Sequence, residues 1–470
     1  MAANPYRRLI SAFVATALSM GAPLGAAATP APRGGTVVAV TTCDDAGNGS
    51  LRDAVQDAPD GAVIDLGALP CSDRTIHLTS GEIAFTNAGT LSIRGVPIVF
   101  ASTPGASPAA VTIDAGGTSR VFSQSGTGLL AIVGVALRNG RSDEPGGCLA
   151  SEGDVRLEDS VVGDCVVAAT TFGSGVGGGL YVAHALTLVN SIVVGNAARG
   201  DSAVSGGGFA VGGALDVAYS TIAGNSAIAT GVFGDGGGLS ANGDVLIEHS
   251  TISGNTATDI GGAYLLGADG VATLRIVDST ISGNSGAQVG GMMALQSPVA
   301  IASSTIAFNS ASGAGGVGGL AVANSPTLES TIVSGNLAAN VAADVSTSCF
   351  GGGDCGLHVD GHANLFGAAN LPVPVDTLSV DPRLLALADN GGPTRTHALQ
   401  PGSPAIDAGN ATGAGSGTLD SDQLGADYAR IVGTAADIGA YESGAGPQRI
   451  FEDGFDCIVT PAFPVAKVEC

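Results

Sequence analysis

The sequence predicts an all-β chain wound as a single-stranded parallel β-helix, a solenoid right-handed in its usual form. An amphipathic helix is expected to cap its N-terminal end and an irregular region its C-terminal end. Three observations predict this. A six- or seven-residue motif ending in Asn recurs through the middle of the chain at nearly constant spacing. Between its copies lie a glycine cluster and a short alternating strand. The composition, finally, is that of a folded chain poor in large side chains: 75 Gly in 470 residues, no Trp, 4 % aromatic and 12 % charged residues, with positive mean hydropathy.

The motif reads SIVVGN (191–196), STIAGN (220–225), STISGN (250–255 and 279–284), STIAFN (304–309) and STIVSGN (330–336). Its Asn stands at Asn196, Asn225, Asn255, Asn284, Asn309 and Asn336, with spacings of 29, 30, 29, 25 and 27. Asn139 and Asp164 read as degenerate earlier members of that column. Glycine clusters such as GGGL (177–180) and GGAL (212–215) follow the Asn, and then strands such as LTLVNS (186–191) and VLIEHS (245–250). A fixed period of this length marks a solenoid or a propeller. Each unit holds three apolar stretches of strand length, too few for a propeller blade of about 40 residues but suited to one coil of about 25–30. Val, Ile and Leu then point inward and stack from coil to coil at about 4.8 Å, so that some ten coils make a rod of about 50 Å. Asn tolerates the left-handed bend, and its amide can bond the Asn above and below as a structural ladder.

At the front, Arg7 and Arg8 precede an apolar run over 9–20 and the small residues Ala26, Ala27 and Ala28. This is the pattern of a secretory signal peptide, too short to span a bilayer. SLRDAVQDA (50–58) reads as a helix, with Ser50 and Asp53 as capping residues and Leu51, Ala54, Val55 and Ala58 on one face. The expected layout is a signal peptide over 1–28, an N-terminal cap with the first irregular coils over 29–125, β-helix repeats over 126–345, a C-terminal region over 346–443 and a tail over 444–470.

Eight cysteines suit an oxidising compartment. Of the 105 pairings they allow, short loops favour Cys43–Cys71, Cys148–Cys165, Cys349–Cys355 and Cys457–Cys470. Cys349, Cys355, His358 and His362 could instead be read as zinc ligands, but only two residues separate the Cys pair from the His pair, too few for a finger to close round the metal. Forty-one acidic against seventeen basic residues give a net charge of −24. A phosphate backbone would be repelled, which excludes nucleic acid as a partner.

DPRLLALADNGGPTRTHALQPGSPAIDAGN (381–410), DQLG (422–425) and DIGAYE (437–442) resemble the choice-of-anchor Q domain of bacterial secreted β-helix proteins. TTCDDAGNGSLRDAVQDAP (41–59) is similar to the CSLREA segment at the start of such proteins, and the repeats resemble those of polymorphic outer-membrane proteins. Leu424 stands where the family commonly has Arg, and Ser50 where it commonly has Cys or Thr. RIFEDGFDC (449–457) resembles short terminal tags of Gram-negative secreted proteins. The resemblance implies a right-handed β-helix that is extracellular or attached to the cell surface or outer membrane, with no defined biochemical role.

Catalysis on such a scaffold needs clustered carboxylates, with Arg or Lys as a base in a lyase. The sequence shows no such cluster. One column could form a site: the residues before each repeat Ser are Asn190, Tyr219, His249, Asp278, Ser303 and Glu329. Stacking would make Tyr219, His249 and Asp278 neighbours, a base and an acid, although bend residues that satisfy backbone groups are the favoured reading. His358, Asp360 and His362 could hold a transition metal, against the favoured reading of a solvated loop. Asp407, Asp420, Asp422 and Asp427 could hold a structural Ca²⁺. No other cofactor is expected. The expected function is that of a secreted or surface-displayed structural, adhesin-like protein without catalysis, whose partner is a surface glycan or cell-surface protein. The alternative is a polysaccharide lyase or glycoside hydrolase acting along the rod face.

Overall fold

The computed structural model describes residues 35–97, 111–169, 174–231, 233–268, 271–347, 356–413, 417–446 and the strands Ile458–Thr460 and Lys467–Glu469. The signal-peptide segment and Cys349, Cys355, Cys457 and Cys470 lie outside the described residues.

Inward-pointing aliphatics and glycine bends wind the chain into a parallel β-solenoid. Its strands form four rows of 12, 11, 9 and 10 strands among the described residues. One coil shows the order: Leu215–Ala218 in row 1, Thr221–Ala223 in row 2, Ser226–Ala229 in row 3 and Leu239–Ala241 in row 4. The coil thus has four strands where the sequence suggests three. Row 3 escapes notice because its strands are short and made of small residues, as in Thr256–Ala257 and Ser285–Gly286. Row 1 extends from Val37–Ala39 to Asp360–His362, so coils flank the repeat on both sides.

Register is fixed by the aliphatic columns. In row 1, Val155, Leu186, Leu215, Val245, Leu274 and Val299 stand one above the next. In row 2 the column is Val162, Val193, Ile222, Ile252, Ile281, Ile306 and Val333. All are buried, and each contributes about 1.5–3 kcal/mol of transfer free energy. A one-residue slip would turn a whole strand inside out.

Two polar ladders run beside these columns. Each Asn side chain donates from Nδ2 to Oδ1 of the next: Asn196 to Asn225 and Asn225 to Asn255 at 3.0 Å, then Asn255 to Asn284, Asn284 to Asn309 and Asn309 to Asn336 at 2.9 Å. The second Nδ2 hydrogen goes to a backbone carbonyl, as from Asn255 to Ile222, and Asn336 bonds to Asp344. The repeat Ser forms the second ladder. Ser191, Ser220, Ser250 and Ser279 each donate N–H to Oγ of the next Ser, ending at Ser304. Asn139 and Asp164 lie outside the Asn column. They stand in register with Gly195, in the left-handed bend one residue earlier. Cys165 occupies the Asn position, where its N–H donates to Asn196 Oδ1.

Ser50 caps the helix Leu51–Gln56 by accepting from the Asp53 N–H, and Leu51, Ala54 and Val55 enter the solenoid core. Asp45 fixes the helix in place: its carboxylate takes Arg52 Nη2 at 2.7 Å and the N–H groups of Thr79 and Ser80. Disulfides join Cys43 to Cys71 and Cys148 to Cys165, two of the four expected pairs. No helix among the described residues is long and apolar enough to cross a membrane.

Candidate functional site

The bends between rows 1 and 2 bring the sequence's candidate column together. Asn190, Tyr219, His249, Asp278 and Ser303 all adopt left-handed φ, between 43° and 52°. The sixth position is Ser330, φ 47°, rather than Glu329. The motif there is one residue longer, and Glu329 is instead a strand residue paired with His362. Tyr219 and His249 stack with ring centroids 4.6 Å apart and planes 6° from parallel, with Asp278 on the following coil.

This column faces polypeptide. The C-terminal region, expected at the rod end, runs back along the flank, and residues 389–413 and 417–442 cover the bends. His249 Nδ1 donates to the Asp422 carbonyl at 2.9 Å, and Thr394 Oγ1 donates to the His249 carbonyl. Gln423 reaches Thr251 with Nε2 and accepts from Thr280 with Oε1. The Ala440 N–H bonds to Thr305 Oγ1 and the Gly439 N–H to the Ser330 carbonyl. Ser282 Oγ lies 2.8 Å from His397 Nε2, while His397 Nδ1 meets the Leu385 carbonyl. That is a hydroxyl–imidazole pair, but both residues are buried.

At the centre of the contact is Arg430. Its guanidinium approaches Asp278 Oδ1 at 3.4 Å, the Asp437 carbonyl at 2.6 Å and Glu442 Oε2 at 3.7 Å; the Asp278 and Arg430 side chains are each 1 % exposed. Burial dominates the electrostatics here. It pushes the Asp278 carboxyl up to about 8, Glu442 to about 7 and Asp422 to about 6, and it lowers His249 to about 4. His249 is therefore neutral near pH 7, with its Nδ1 proton committed to a carbonyl. His249 and Asp278 hold the C-terminal segment, and Tyr219, half-buried like His249, backs the imidazole.

The metal candidates do not converge. His358 pairs with Asp360 at 3.2 Å while His362 pairs with Asp376 at 3.3 Å, all well exposed. Asp407 accepts the N–H groups of Thr434 and Ala435, and Asp422 those of Leu424 and Glu442. Among the described residues no three His, Cys, Asp or Glu side chains are grouped to hold a metal ion.

Sequence reasoning missed a charged face on row 1. Register places Arg156, Thr187, Asp216, Leu246 and Arg275 in one outward column. Glu248 lies two residues along the strand from Leu246. Burial raises the Asp216 and Glu248 carboxyls, with Arg156 opposing the shift at Asp216. At Glu248, Asp216 adds to the rise and Arg275 opposes it. Arg275 keeps Nε and Nη2 buried without a hydrogen-bond partner. The signal was present in LDVA, VLIE and LRIV, whose outward positions carry the charges.

No protein-family profile matches the chain, and no curated protein sequence matches it. Among solved structures it is similar to one described as the crystal structure of pectate lyase Pel9A, with a TM-score of 0.49 and 16 % identity over 87 % of this chain and 97 % of that one.

Proposed function

We propose that this chain is a secreted or surface-displayed β-solenoid of the choice-of-anchor Q and CSLREA type, acting as a structural or adhesin-like element without catalysis. The observation that carries this reading is the use of Tyr219, His249 and Asp278. These are the residues whose chemistry best suited a catalytic site; His249 and Asp278 instead bond to the C-terminal segment on the solenoid flank, and Tyr219 stacks on His249. The signal-peptide pattern and the two disulfides support an extracellular setting. The partner is a surface glycan or a cell-surface protein. The test is incubation of residues 29–470 with acidic and neutral polysaccharides, with and without Ca²⁺, followed by assay of new reducing ends. No product is expected, and product from any glycan overturns the reading.

A second reading, a polysaccharide lyase or glycoside hydrolase, is favoured by one observation, the row 1 face of Arg156, Asp216, Glu248 and Arg275. Two carboxyls raised by burial beside arginines are the groups that proton transfer on a sugar would use. If cleavage is seen, Glu248→Gln should abolish it while Asp278→Asn should not.

A further inference from the structure

We propose that residues 389–413 and 417–442 form a proton-dependent clasp, docked on the solenoid flank while Asp278 is protonated and released as Asp278 ionises. The geometry requires a choice of this kind. One guanidinium, Arg430, lies among Asp278 from the solenoid and Asp422, Asp437 and Glu442 from the segment, and all five side chains are buried. Of the charged groups that act on Asp278, Arg430 favours its ionised form, while Asp422 and Glu248 oppose it. His249, one coil away, is neutral and adds no compensating charge. One fixed positive charge cannot balance four carboxylates in a dry contact. Undocking hydrates Asp278 and the segment face against it, while Asp422, Asp437 and Glu442 keep the backbone N–H donors of their own segment.

The direction follows from linkage. The docked-state pKa of Asp278, about 8, exceeds its ordinary value of 3.8. Glu442 and Asp422 are raised in the same sense, to about 7 and about 6. Docking is therefore fully favoured near pH 4 and loses that contribution as pH rises through 6 to 8. The opening is local. The attachment joins polar contacts on the coils of His249, Asp278, Ser303 and Ser330 to an apolar cluster in which Ile332 and Leu365 of the solenoid meet Leu399, Ala405 and Ile438, whereas the coils beneath are held by continuous aliphatic columns and by Asn and Ser ladders that do not titrate.

Hydrogen exchange on the full chain at pH 5 and pH 9, corrected for intrinsic exchange rates, tests the clasp. Protection over 389–413 and 417–442 should fall by at least about 100-fold at pH 9, while core strands such as Leu274–Val277 keep theirs. Asp278→Asn should weaken that dependence, leaving only the part that Glu442 and Asp422 carry. Asn is compatible with the bend, since Asn190 occupies the same column with φ 45°. Should the Asn variant lose core protection, Asp278→Ser takes its place, because Ser303 holds the column too. Asp235→Asn removes a different buried carboxyl, raised to about 7 by burial and by Asp259, and should leave the clasp's dependence as in wild type. Equal protection at both pH values, or an undiminished dependence in the folded Asp278 variant, overturns the proposal.

Discussion

His249 lies flat against Tyr219, ring on ring at 4.6 Å, while its Nδ1 reaches across to the Asp422 carbonyl. One imidazole thus joins two coils to each other and both to the C-terminal segment. Tyr219→Asn keeps the left-handed bend and removes the stack, which is worth about 0.5–1.5 kcal/mol. Amide exchange over 389–413 and 417–442 should speed by about 2- to 12-fold, with core exchange unchanged.

Asn255 sits mid-ladder, accepting from both N and Nδ2 of Asn225. Asn255→Ala leaves two buried donors without partners, at about 1–3 kcal/mol each. Urea unfolding should show a loss of about 2–5 kcal/mol. A loss below 1 kcal/mol would mean that water replaces the amide.

Asp235 gives a stability change whose sign depends on pH. Its carboxyl, raised to about 7 by burial and then by Asp259, holds a proton in the folded state that the unfolded chain releases near pH 4. Its stabilising contribution is complete below pH 4 and is lost as pH rises through 7. Asp235→Asn should therefore raise the melting temperature at pH 8.5 and give no gain at pH 4.

Asp45 acts in the opposite direction. Burial alone would raise it, but hydrogen bonds from Ser80, Arg52 and the Thr79 and Ser80 backbone hold it far below the usual carboxylate range. That stabilisation is present above pH 4 and fades only under strong acid. Asp45→Asn should loosen the helix Leu51–Gln56 at pH 7 by about 2–3 kcal/mol, seen as faster exchange of its amides.

EGTA should leave the melting curve unchanged. Asp407 and Asp422 are already filled by backbone N–H groups. A fall in melting temperature would place Ca²⁺ among the C-terminal loops.

The coil was legible where side chains announce their direction. Ile252, Ile281 and Ile306 repeat inside closely similar motifs, and the Asn after them is conspicuous. Row 3 was not legible, because Ser, Thr, Ala and Gly give no period. The one-residue offset of Asp164 from Asn196 was hidden by a Cys in the ladder position. Contacts such as that of Thr251 with Arg395, 144 residues apart, have no local signature. The covering of Asp278 by Arg430 is of the same kind, and it decided how the candidate column is read.

The Asn ladder has a direction. Every amide hands one of its two hydrogens to the C-terminal neighbour's oxygen, so these side-chain bonds all run one way along the rod and polarise one another. Such a series has to stop. A further Asn would carry two more hydrogens into the interior and demand another acceptor. Asp344 ends the series because its carboxyl, which burial raises, meets these donors with lone pairs alone. One oxygen receives the Asn336 side chain and N–H, and the other receives the Ala368 N–H. In the language of polymer growth, Asp344 is the terminator of the interior chain of amides, and its chemistry, rather than the length of the repeat, sets where that chain ends.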